Sequence, residues 1–160
     1  MQFIPTGVAR LDHALAGVVH CFVDLGRAMR DRDATSSRGW ACLLVQKLGD
    51  HFSDEERMMR ASRWPQADLH IESHRRVLRQ FENFEQELKI RGVTLELSHL
   101  ALFHLPEMLR IHIIKSDFGF AKFVTGRPNL PLSRLVARPT DASRTLALVQ
   151  PSSVPGSPLN

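Results

Sequence analysis

Apolar residues recur every three or four positions along four stretches of the chain, and each stretch predicts an amphipathic helix. Leu11, Leu15, Val18, Phe22, Leu25 and Met29 define the first, over residues 11–29. The polar run from Arg30 to Ser37 supplies turn and cap residues, so a second helix is predicted over 40–60. Pro65 interrupts the period: proline lacks an amide donor and suits only a first helical turn, which starts a third helix there and carries it to Arg91. Gly92 fits the position just past a helix C-terminus. Residues 93–96 then read as a short extended connector, 97–104 as a brief helical turn, and Pro106 as the start or kink of a fourth helix ending near Val124.

Four helices joined by short loops predict an all-α fold, an antiparallel up-down-up-down four-helix bundle over residues 1–125. Beyond Thr125 the prolines 128, 131, 139, 151, 155 and 158 crowd together and no apolar period is long enough for a packed helix. Residues 126–160 therefore read as a poorly ordered Pro-rich tail, in which 132–137 is the segment able to dock.

The inward stripes carry residues that do not belong in an apolar core. On the second helix the stripe runs Leu44, Leu48, His51, Glu55, Met58, and on the third it runs His70, His74, Val77, Phe81, Phe84, Leu88. His51 and Glu55, and again His70 and His74, stand four residues apart, the spacing that stacks two side chains on one helix face. A buried carboxylate without a counter-charge costs several kcal/mol or gives up its ionisation, and a cation between the helices removes that conflict. A single inward histidine is more often a hydrogen-bonded core residue. Four such side chains on adjacent stripes favour a metal. The fourth helix adds His112 and Asp117, but five residues place them about 140° apart on an ideal helix, so Asp117 suits a second ion beside the first.

Charge and composition narrow the classes. The 160 residues, 18.1 kDa, fit one domain of ordinary size. A formal charge of +4 and a pI near 9.7 are spread without basic runs, so neither a nucleic-acid nor a membrane role is expected. No apolar run reaches the roughly 20 residues of a membrane span, and the N-terminus has no signal-peptide pattern; a cytoplasmic protein is expected. Cys21 and Cys42 read as core thiols, and with no tyrosine in the chain no tyrosyl group enters any redox step.

Taken together, His51-Phe-x-x-Glu55-Glu56-x-x-Met59, the pair Trp64-Pro65, His70-x-x-x-His74 and His112-Ile-x-x-x-Asp117 resemble the bacterial hemerythrins, the HHE cation-binding family, over roughly residues 6–124. The resemblance implies two non-haem irons bridged by two carboxylates and an oxo or hydroxo group, with dioxygen or another small diatomic as ligand. It assigns His70, His74 and His112 to one iron, His51 to the other, and Glu55 and Asp117 to the bridges. One ligand departs from the pattern, because Leu15 stands where the family has its first histidine. His13 and His20 are the candidates to replace it, although they lie about 200° and about 140° from the Leu15 direction on an ideal helix. The gap falls on the iron that binds O2. A sensor role, or a peroxidase-like or nitric-oxide-directed reaction, is thereby favoured over storage, and the redox or signalling partner stays open. Imidazole with carboxylate also suits manganese or zinc.

Two rival readings remain. A ferritin-like di-iron enzyme needs Glu-x-x-His from two helices, and the chain has one such pair, Glu96 and His99. A degenerate hemerythrin domain, acting as a regulatory or interaction module without O2 chemistry, is the other.

Overall fold

The computed structural model describes residues 5–126, and all regular structure within them is helical. Helix α1 spans Ala9–Arg30, α2 spans Ala34–Ala61 and α3 spans Ala67–Arg91. The fourth rod, α4, occupies 95–125 as the segments Leu95–His99, Leu105–His112 and Phe118–Thr125, joined without a break by π-helical turns at Leu100–His104 and Ile113–Asp117. Packing joins α1 to α2 and α2 to α3, and α4 lies against both α1 and α3. The arrangement is that of a helical bundle. The expected tail lies outside the described residues, apart from Gly126.

The helix ends follow from local chemistry. Before α1, Asp12 accepts from the Thr6 amide at 2.6 Å, the Thr6 hydroxyl at 2.8 Å and the Gly7 amide at 3.0 Å, which occupies its carboxylate completely. Asp33 caps α2 by accepting from the Ser36 amide at 3.0 Å, so the helix begins six residues before the expected Trp40. Arg32 (φ 55°) and Arg63 (φ 53°) take the left-handed conformation that turns the chain after α1 and α2. Thr94 accepts from the Leu97 amide at 3.2 Å and caps α4, so Leu95 and Glu96 of the expected connector and the separate turn over 97–104 are parts of one helix. Pro106 neither starts nor breaks that helix. Its ring would crowd the carbonyl one turn back, and the wider π-helical turn just before it, with the Leu105 amide bonded to the Leu100 carbonyl, gives it room.

Two apolar clusters fill the bundle. The larger contains Leu15, Val18, Phe22 and Leu25 of α1, Leu44, Leu48 and Phe52 of α2, Val77, Phe81 and Leu88 of α3, and Leu109 and Ile113 of α4. The smaller contains Leu11, Met59, Trp64, Ile71 and Phe120. Met59, not the expected Met58, carries the α2 stripe inward, and Met58 is only half-buried. Cys21 is a core thiol as expected, whereas Cys42 is exposed on the outer face of α2. Among the described residues no helix is long and apolar enough to cross a membrane.

Phe81 anchors the larger cluster: it is fully buried and meets Phe22 edge-on with 5.7 Å between ring centres. Phe81→Ala is expected to cost about 3–5 kcal/mol of unfolding free energy by cavity formation, read from the midpoint of urea denaturation.

Candidate metal centre

Between the two clusters lies a layer of buried polar side chains. On α2 it is His51 and Glu55, on α3 His70 and His74, and on α4 His112 and Asp117, none more than 6% exposed. These residues form two overlapping groups, His70, His74, His112 and Asp117 in one and His51, Glu55 and Asp117 in the other. Within each group the donor atoms lie within 4.8 Å of one another, and Asp117 belongs to both. The structure thus brings together all six side chains singled out from the sequence.

The distances suit a shared cation. His70 Nε2 is 3.3 Å from His112 Nε2 and 3.1 Å from Asp117 Oδ1, and His112 Nε2 is 3.0 Å from the same oxygen. Donors held at about 2.1 Å from one cation lie about 3.0–3.4 Å apart in tetrahedral or octahedral geometry. Glu55 Oε2 stands 3.3 Å from His74 Nε2 and 3.9 Å from His70 Nε2, and His51 Nε2 stands 4.0 Å from Asp117 Oδ2.

Hydrogen bonding leaves the centre unsatisfied. Both ring nitrogens of His51, both oxygens of Glu55, Nε2 of His74 and Oδ2 of Asp117 are buried without a hydrogen-bond partner. Each such atom costs about 1–3 kcal/mol, and far more if charged, and a cation in the centre relieves those that face it. These residues fit a metal ion, and the cluster can hold one.

A second ring of contacts fixes the imidazoles. Nδ1 of His74 donates to Glu56 Oε1 at 3.1 Å, and Nδ1 of His112 lies 3.1 Å from Ser73 Oγ. Each contact leaves Nε2 as the free donor atom aimed at the centre, the orientation that metal-binding histidines take from a neighbouring carboxylate or hydroxyl. Phe52 stacks on His74 with ring centres 4.0 Å apart, and Trp64 meets His70 at 5.4 Å, so aromatic walls close both sides. Glu56 and Ser73 escaped the stripe argument. Both sit beside an inward residue, on the flank, and only the packing of α2 on α3 and of α3 on α4 turns them toward the rings.

The pairing of His112 with Asp117 overturns the expectation that an offset of five keeps them apart. The Phe118 amide bonds to the Ile113 carbonyl, five residues back, and this π-helical turn carries the chain further per turn than an α-helix. Asp117 consequently returns to the face of His112.

Other candidates fall away. His13 is exposed, and His20 is an outward residue whose ring is 72% exposed and pairs with Asp24 at 3.2 Å. Neither replaces the missing ligand, and Leu15 is fully buried in the larger cluster. Glu96 and His99 are exposed at the start of α4, far from what a ferritin-like centre requires. His104 is exposed as well.

Charge state follows from burial. Burial pushes the Glu55 carboxyl well above its usual 4.5, and the negative charges of Asp117 and Glu56 add to the rise. Asp117 is buried too, which by itself raises it, but the facing imidazoles outweigh that and hold it well below the usual value, His112 and His70 at 3.0 and 3.1 Å from its Oδ1 and His51 further off. The two carboxylates are driven apart, one proton-binding and one ionised. His74 falls to about 2, chiefly by burial and then by the neighbouring imidazoles His70 and His112, so it is a neutral ligand at any ordinary pH.

Compared with known proteins, the chain matches no protein-family model and no curated protein.

Three outcomes follow from this geometry. Because burial raises the Glu55 carboxyl above its usual 4.5, the metal-free centre holds a proton there just above that pH, Zn2+ uptake is expected to release it, and affinity should rise with pH as the proton is lost. Calorimetry in buffers of different ionisation enthalpy measures the release, which Glu55→Gln should abolish. Glu56→Ala should weaken metal binding about 10- to 100-fold with helix content unchanged, since the His74 ring loses its orienting acceptor. Deleting the exposed Lys115 removes the extra residue of the π-helical turn and leaves the histidine and aspartate four apart on an α-helical face. That variant is expected to retain its metal; loss of binding in a folded deletion would show that the turn does not place Asp117.

Proposed function

We propose that this chain is a hemerythrin-like protein, an antiparallel bundle whose centre holds two non-haem irons and binds dioxygen in a sensing or redox role. The observation that carries the reading is the shared carboxylate. Asp117 belongs to both donor groups, and Glu55 stands between His74 of one and His51 of the other. Two adjacent donor sets with a carboxylate in common suit a pair of ions, and imidazole with carboxylate suits iron. Iron, when bound, supplies the electrons for O2 chemistry.

The protein's own part is binding, orientation and exclusion of water. Glu56 and Ser73 hold two imidazoles with Nε2 inward, while Phe52, Trp64, Phe120, Leu11 and Leu15 line the layer above and below with apolar surface. Such walls admit a small uncharged diatomic and disfavour hydrated ions, and they keep solvent protons from the reacting atoms. Without a tyrosine in the chain no tyrosyl group carries electrons to or from the centre. A cytoplasmic location accords with this reading.

A second reading keeps the domain but removes the O2 chemistry, making it a regulatory or interaction module. The apolar α1 layer favours it, since Leu15 offers no donor. The six retained polar side chains weigh against it, because each is costly to bury idle.

Anaerobic reconstitution with Fe2+ followed by admission of O2 separates the two. The first reading expects bound iron and an O2-dependent absorption band in the near-ultraviolet or visible range that the His74→Ala variant lacks. Iron-free protein whose melting temperature is unmoved by chelator or added Fe2+ would support the second.

A further inference from the structure

On three of the four helices the polar layer separates the two apolar clusters. On α2 His51 and Glu55 lie between Leu48 and Met59, on α3 His70 and His74 bracket Ile71, and on α4 His112 and Asp117 lie between Leu109 and Phe120. On α1 the same passage from one cluster to the other runs from Leu15 to Leu11, consecutive members of the inward stripe, both fully buried. The polar residues between them are committed elsewhere: Asp12 is taken up by Thr6 and Gly7, and His13 is exposed. Helix α1 therefore brings no donor to the layer.

The two halves of the centre are correspondingly unequal. One has three imidazoles and a carboxylate, with the rings of His74 and His112 held by Glu56 and Ser73. The other has one imidazole, His51, with neither nitrogen hydrogen-bonded, plus Glu55 and a share of Asp117. A second cation entering there meets fewer donors, an unlocked ring and the repulsion of the first cation across a common carboxylate.

We infer that the centre loads in two steps of unequal affinity. A first ion seats on His70, His74, His112 and Asp117, and a second, on His51, Glu55 and Asp117, stays exchangeable because it meets fewer donors and α1, with Leu15 and Leu11 on its inward stripe, adds none. The protein at limiting metal is then a one-ion form, and the two-ion form arises only when free metal is abundant. This rests on the metal-binding reading above and adds the order of occupancy.

Titrating the metal-free full chain with Fe2+ under anaerobic conditions tests it, with iron counted before and after gel filtration. The expected result is one equivalent retained through the column and a second bound about 10- to 100-fold more weakly. His51→Ala should lose the weak equivalent and keep the tight one, whereas His112→Ala should lose the tight one. Leu15→His should make the second equivalent survive gel filtration. Should that variant fail to fold by circular dichroism, the His51 and His112 pair still decides the order. Two equivalents of equal affinity, or loss of the tight equivalent on His51→Ala, would overturn the loading order while leaving metal binding intact. Wild-type protein that takes up no iron at all would overturn the metal reading itself.

Discussion

Two carboxylates and four imidazoles share one dry volume with too few protons among them to satisfy each other, and every other feature of the bundle is arranged around that imbalance. Six buried atoms of His51, Glu55, His74 and Asp117 find no hydrogen-bond partner. Glu55 answers by holding a proton that a solvent-exposed carboxyl would lose, and Asp117 by drawing the His70 and His112 rings to its Oδ1. A cation would relieve those that face it, and a metal bound there would stabilise the fold as well as serve any chemistry.

The apolar clusters on either side give that layer its rigidity. Phe52 and Trp64 belong to different clusters yet both lie against centre histidines, so the aromatic packing that stabilises the bundle also seals the donors from water. The second contacts from Glu56 and Ser73 convert two rotatable imidazoles into aimed ones. Close approach of the helices matters here. Gly26 on α1 leaves room for Leu102 of α4, whose Cδ2 would stand 3.1 Å from a methyl group added at that position.

Helix α1 stands apart from the other three. It meets the layer with leucine only, and its one nearby carboxylate is consumed in ordering the chain just before the helix. The centre is open on the side where a donor is missing and crowded on the side where α3 and α4 meet. The two donor sets are unequal and share one carboxylate, and α1 adds no donor to either.

The sequence by itself determined the helical class, the four inward stripes and the six polar residues that interrupt them, because periodicity of three and four needs no partner to be visible. Against the hemerythrin resemblance it also marked Leu15 as the position where a histidine ligand is missing. What only the tertiary structure decided depends on backbone and packing that a period cannot encode. The π-helical turn at Ile113–Asp117 returns Asp117 to the face of His112, and the turn before Pro106 carries α4 through a proline that reads as a break. Asp33 and Thr94 moved helix starts by forming caps whose geometry depends on hydrogen bonds formed in place. Glu56 and Ser73 lie on the flanks of their helices, where sequence sees only polar surface, and become partners of His74 and His112 because neighbouring helices bring those rings within 3.1 Å. A stripe shows which residues face inward. Which atoms then meet is set by the angles and depths at which helices pack, and those arise from the whole core together.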